Sequence, residues 1–166
     1  MGINALMRIE GAQGESRLEG FDTWIELQSW DWDVEAESSW TKGGGASVGK
    51  PNPGKMNWEH YYDKSSPSIL RNICSGTMFE KMELKMFKST GATTQTGKGN
   101  TFFHMIMLGV FITKVANSAT EEGNVVQKVE MVFKTVEIIY KPQDNSTGKL
   151  GGDVPFSWDI QKGKVG

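Results

Sequence analysis

Apolar residues recur at every second position along much of this chain, a period that commits it to strands whose two faces meet different surroundings. In Lys81 to Lys88, Met82, Leu84 and Met86 alternate with Lys81, Glu83 and Lys85, so one face is apolar and the other charged. In Ser29 to Glu35 the same parity sets Trp30, Trp32 and Val34 against Asp31, Asp33 and Glu35. Met56, Trp58, His60 and Tyr62 share a face, as do Phe156, Trp158 and Ile160, and a weaker alternation aligns Ala5, Met7 and Ile9. The fold class that follows is mainly β.

Two stretches depart from simple alternation. Phe102 to Val115 is apolar at both parities, which calls for cover on both sides, from the chain itself or from a second subunit. Val125 to Tyr140 changes parity near Thr135, the mark of a bulge or bend that turns the strand over. One helix is predicted from Ser66 to about Thr77, with Ser66 as N-cap, Pro67 in the first turn and Gly76 as a left-handed terminator. Its stripe of Ile69, Leu70, Ile73 and Cys74 should pack on a sheet, with Cys74 a small core residue. The glycines and prolines from Ser38 to Gly54 predict a long loop, too long for a simple hairpin turn; such loops are usually functional or disordered.

At 166 residues the chain fits one domain spanning 1–166. The 18 Lys and Arg against 20 Asp and Glu leave a formal charge of -2, no broad field for nucleic acid. No segment has the roughly 18 consecutive apolar residues of a membrane span, so no membrane insertion is expected. The first residues, MGINALMRIEG, lack the pattern of a secretory signal, which predicts synthesis in the cytoplasm. A single cysteine excludes an intramolecular disulfide and a multi-cysteine zinc site.

Motifs that look chemical fail on their surroundings. Gly44 to Lys50, GGASVGK, satisfies the G-x-x-x-x-G-K phosphate-loop spacing, but Pro51 stands where a Ser or Thr should hold magnesium. With Pro53, it also forbids the helix that must begin there. Gly45 to Gly49, GASVG, matches the nucleophile-elbow pattern around Ser47, yet no helix pattern follows it. His60 and His104 have no second ligand at metal spacing and read as structural residues. The sequon Asn145-Ser146-Thr147 needs a glycosylating compartment. Most of the 6 tryptophans follow the parity of aliphatic neighbours and belong to the core; Trp40, beside the glycine-rich segment, is the candidate for exposure. No catalytic, cofactor-binding or metal-binding residue is assigned.

Several separated signatures in order resemble the Hcp family, the tube proteins of bacterial type VI secretion systems. They are Gly14-Glu15-Ser16, the Trp30-x-Trp32 strand, and Gly43-Gly44-Gly45 with Gly49-Lys50. Asp63-Lys64-Ser65-Ser66-Pro67 then leads through Leu70 to Ser75-Gly76, and Phe133 precedes Val136 to Gln143. Gly151-Gly152 before Trp158-Asp159-Ile160 completes the likeness, which covers nearly the whole chain.

The resemblance implies a β-barrel of two packed antiparallel sheets with one flanking α-helix and a long extended loop. It further implies a homohexameric ring with a wide lumen, stacked rings forming a tube inside a contractile sheath, a spike protein at the tip, and effector proteins carried in the lumen. No cofactor is implied. The extended loop corresponds to Ser38 to Gly54 and is expected to reach a neighbouring subunit or ring, which makes Trp40, Gly43, Gly44, Gly45, Ser47, Val48, Gly49 and Lys50 the expected interface residues. The protein should leave the cytoplasm through the type VI machine. A tail-tube subunit of a phage-like contractile particle, or a β-domain that binds ligands on exposed tryptophans, are the alternative readings.

Overall fold

The computed structural model describes residues 5–41, 45–87, 101–142 and 151–166. Among these the elements run β1 (Ala5–Ile9), β2 (Ile25–Asp31), β3 (Val34–Thr41), β4 (Gly45–Pro53), β5 (Met56–Tyr61) and α1 (Ser66–Ser75). They continue with β6 (Phe79–Phe87), β7 (Thr101–Ala119), β8 (Val125–Tyr140), β9 (Val154–Asp159) and β10 (Lys164–Val165).

Antiparallel pairing runs β8-β5-β2-β1-β6-β7 and closes through β7 and β8, which makes a barrel. Its halves, β8-β5-β2 and β1-β6-β7, are joined along the length of β7 and β8 and by a short seam where Leu6 pairs with Glu26 and Met7 with Ile25. These halves are the two packed sheets expected from the resemblance. β9 and β10 extend the sheet beyond the barrel from the second half of β8.

The inward parity is the one read from the sequence. Ala5, Met7 and Ile9, then Met56, Trp58 and His60, then Met82 and Leu84 are all buried. Methionine supplies much of the interior: Met7, Met56, Met82, Met105, Met107 and Met131 are each 0% exposed, and their unbranched chains fill the irregular space of a small barrel. The parity change in β8 is real and shared with its neighbour. Met105 and Met107 point inward before Gly109, and Val110 and Ile112 after it; opposite them, Val136 points inward beyond Lys134, and Phe133 and Met131 before it. At the crossing, Gly109 adopts φ +64°, and a Cβ there would lie 2.7 Å from Cδ of Lys134. Glycine is needed for both conformation and space.

Four expectations are corrected. Ser38 to Gly54 is not a loop: most of it is the antiparallel pair β3 and β4, an arm separate from the barrel sheet. Ser29 to Glu35 is not one strand, because β2 ends at Asp31 and β3 starts at Val34. The chain turns there from barrel to arm.

The helix forms where expected, with Gly76 at φ 70° donating its N–H to the Asn72 carbonyl, but Ser65 occupies the N-cap position while the Ser66 hydroxyl accepts the Asp63 N–H. The fourth correction is Cys74, which is exposed. The buried helical stripe is Ser66, Ile69 and Asn72, three residues apart, and Cys74 falls about 140° around the helix from Ile69. The helix lies against β7.

Candidate assembly surface

The arm grows from a fixed base. Gly54 N–H donates to the Asp33 carbonyl at 2.8 Å, and the Trp32 indole N–H donates to the Gly54 carbonyl at 3.2 Å. Trp32 also packs on Phe133, ring centroids 5.4 Å apart, anchoring the base to the barrel core. Beyond that point Val34 pairs with Pro53, Ala36 with Pro51, Ser38 with Val48, Ser39 with Ser47, Trp40 with Ala46 and Thr41 with Gly45.

A register shift between Ala36 and Ser38 leaves Gly49 and Lys50 together opposite Glu37. This bulge keeps one face continuous although the sequence parity of β4 changes across it. One face therefore carries Val34, Ala36, Val48, Pro51 and Pro53 with Ser38 among them, and the other carries Glu35, Ser39, Ser47 and Asn52, with Glu37 and the bulge between them. The Ser39 and Ser47 hydroxyls are hydrogen-bonded at 2.6 Å. Val34 is 46% and Val48 73% exposed, so the apolar face is wet. An isolated two-stranded ribbon is marginal in water and gains its stability from what it packs on.

Of the expected interface residues, Gly45, Ser47, Val48, Gly49 and Lys50 stand together on exposed β4. Trp40 lies on β3, with its side chain outside the described residues, and Gly43 and Gly44 also lie outside them.

A second uncovered surface lies within Phe102 to Val115, the stretch whose two apolar parities called for cover on both sides, and the Gly109 crossing decides which of its residues share a face. There Leu108 and Phe111, of unlike parity, come to the same outer side of β7, beside Val132 of β8. Their exposures are 44%, 38% and 36%. Lys134 lies across Gly109 with its ammonium 5.8 Å from the Phe111 ring centroid.

The groups that looked chemical are not brought together. Ser47 meets Ser39 on the arm, whereas His60 is 0% exposed inside the barrel. Among the described residues no group of His, Cys, Asp and Glu could hold a metal ion. The Gln127 amide donates to the Ser66 carbonyl and to Asn117 Oδ1, both at 3.3 Å, which leaves Oε1 to accept from His60 Nε2–H at 2.7 Å. His60 Nδ1 then carries a lone pair, 3.9 Å from Asp63 Oδ2. His104 lies 3.4 Å from Glu83, which also pairs with Lys81 at 2.8 Å.

Burial holds the His60 imidazole below its ordinary pKa, against the upward pull of Gln127, Asp63 and the Tyr61 backbone. Burial, then Lys85, lowers His104 against Glu83 and Glu137. The unfolded chain thus binds more protons than the folded one once pH falls through about 6.5, and stability is lost from there downward. Urea unfolding should give a lower midpoint at pH 5.5 than at pH 7.5, and His60→Gln should reduce that difference. An equal pH dependence in the variant would show that His60 does not carry it.

The geometry defines a class: a small closed β-barrel that bears an uncovered amphipathic arm and a separate apolar patch, with no assembled catalytic group among the described residues. Residues 6–140 match the family model described as "Type VI secretion system effector, Hcp", and the chain belongs to the Hcp family of type VI secretion proteins. It is 24% identical over 163 residues to protein hcp1 of Pseudomonas aeruginosa, covering 98% of both chains. Among solved structures, one described as a type six secretion system protein superposes with a TM-score of 0.86 at 22% identity, covering 99% of this chain and 100% of that one. Hcp1 from Salmonella typhimurium does so with a TM-score of 0.79 at 24% identity, over 99% of each. Proteins of this family are structural components secreted by the type VI system.

Proposed function

We propose that this chain is the ring-forming subunit of a type VI inner tube. Six copies of a single-domain protomer close head to tail into a ring, rings stack inside a contractile sheath, a spike protein caps the tip, and effectors travel in the lumen. The protein performs no catalysis and needs no cofactor; it is made in the cytoplasm and leaves through the machine itself.

The observation that carries this reading is the arm, a ribbon with an apolar face that the protomer leaves in water. A closed ring is a heterologous assembly, in which each subunit offers two different patches, and the arm and the β7–β8 surface are two such patches. Electron micrographs and solution mass of the purified protein at high concentration test it. Ring particles of six-subunit mass are expected, and a protein that stays monomeric with no rings overturns the reading.

A further inference from the structure

We propose that the cleft between the segment joining β1 to β2 and the outer side of the barrel binds a small aromatic carboxylate. The inference does not depend on the ring reading.

The segment of residues 10–24 folds back over the outside of the barrel. Leu6 has the outward parity of β1, yet it is buried with Phe21, Trp24 and Phe87 in a second apolar cluster, on which Leu18 packs. Phe21 stacks on Phe87, centroids 5.6 Å apart, and meets Trp24 edge-on at 5.1 Å. Backbone hydrogen bonds fix the segment: Gly14 N–H donates to the Thr23 carbonyl at 2.7 Å, Ser16 N–H to the Trp24 carbonyl at 2.9 Å, and Thr23 N–H to the Ser16 carbonyl at 3.2 Å. Thr23 is held at φ 69°, a left-handed conformation that a threonine keeps only where its surroundings impose it. A site walled by this segment is formed before a ligand arrives, so binding has little to order.

The segment and the barrel bound a cleft of about 310 Å³, within the range of small-molecule sites. Phe21, Trp24 and Ile139 supply its apolar wall, and Lys85, His104 and Lys141 its polar one, with Asp153 beside Lys141.

Lys85 decides the sign of the ligand. Its ammonium lies 5.5 Å from the Trp24 ring centroid and 5.8 Å from that of Phe21, so ring faces stand where a carboxylate would usually be. Among the described residues no carboxylate lies within ion-pair distance of it. Glu83, two residues away on β6, takes Lys81 at 2.8 Å and His104 at 3.4 Å, and Asp153 takes Lys141 at 3.6 Å. Glu19 and Asp22 of the covering segment are exposed and unpaired, and Glu137 acts on His104 from β8. His104, directly opposite Lys85, is neutral at pH 7.5 because burial, then Lys85, holds it below its ordinary pKa. Two lysines against one aspartate then leave the lining with one net positive charge. A carboxylate on a flat apolar body meets both demands: the anion pairs with the Lys85 ammonium, and the body lies against Ile139 and the aromatic wall.

Saturation-transfer NMR of the full chain at pH 7.5, in whatever assembly it adopts, tests the site with phenylacetate and its neutral amide. Phenylacetate should bind with a Kd of about 1 mM or tighter, the range open to a ligand of about ten non-hydrogen atoms, and phenylacetamide about tenfold more weakly. Lys85→Gln should weaken phenylacetate to the level of the amide. Ile139→Trp, which fills the cleft from β8, should abolish binding of both, whereas Lys162→Gln, outside the cleft, should bind as the parent does. Circular dichroism equal to the parent's qualifies each variant, and either cleft variant decides the matter if the other fails to fold. Equal binding of acid and amide, undiminished binding by a folded cleft variant, or no saturation transfer to phenylacetate at about 10 mM overturns the proposal. Ring particles that bind no phenylacetate would overturn the cleft and leave the ring reading standing.

Discussion

Replacing residues 35–52 with an Asn-Gly turn between Val34 and Pro53 should convert assembled protein to monomer while leaving the barrel intact. The cut lies above the base: the Gly54–Asp33 hydrogen bond, the Trp32–Gly54 hydrogen bond and the Trp32–Phe133 contact all remain. Asn-Gly suits a two-residue hairpin because both central positions need positive φ. Among the described residues β3 and β4 pack chiefly on each other, so the melting midpoint of the monomer should move by no more than about 3 °C, the equivalent of about 1 kcal/mol. Size-exclusion mass with circular dichroism reads both quantities. Rings of parental size from the shortened chain would mean that the arm is not an assembly element.

The opposite outcome is expected at Trp58, where Trp58→Ala should destabilise the protomer by about 3–5 kcal/mol and abolish assembly through loss of fold. Trp58 is 2% exposed at the centre of β5, its indole N–H meets Met131 Sδ at 3.4 Å, and its ring lies 5.1 Å from the His60 imidazole. Removing it leaves a large void in a closed barrel, which relaxes poorly because every strand is held on both sides. Urea unfolding at pH 7.5 measures the loss. A midpoint unchanged within error would contradict the packing described for the core.

The barrel was legible because its strands obey one parity. Lys81 to Lys88 and Met56 to Tyr62 could be oriented from residue type alone, and the turnover near Thr135 announced the Gly109 crossing. The arm was hidden by its own construction. β4 reads GASVGKPNP, rich in residues with low strand preference, and its alternation is interrupted by Gly49 and Lys50, so Ala46 and Val48 fall out of step with Pro51 and Pro53. A bulge restores a common face in space that the linear sequence does not display. The same holds for the patch, where Leu108 and Phe111 share a surface only because Gly109 turns the strand over. Cys74 failed for another reason: the helix was given too wide an apolar stripe, and its buried side includes Ser66 and Asn72 instead.

The two prolines of the arm have a consequence for solubility. Gly54 donates to Asp33, so the next pairs along, Val34 with Pro53 and Ala36 with Pro51, fall at positions where backbone N–H groups point away from the partner strand. Pro51 and Pro53 therefore cost the ribbon no internal hydrogen bond, yet they strip donors from its outer edge. A stray strand arriving along β4 finds gaps where an amyloid ladder would need N–H groups, and the Gly49–Lys50 bulge breaks the line again. The arm can thus wait in water as an open ribbon while refusing the indiscriminate edge-to-edge growth that open ribbons invite.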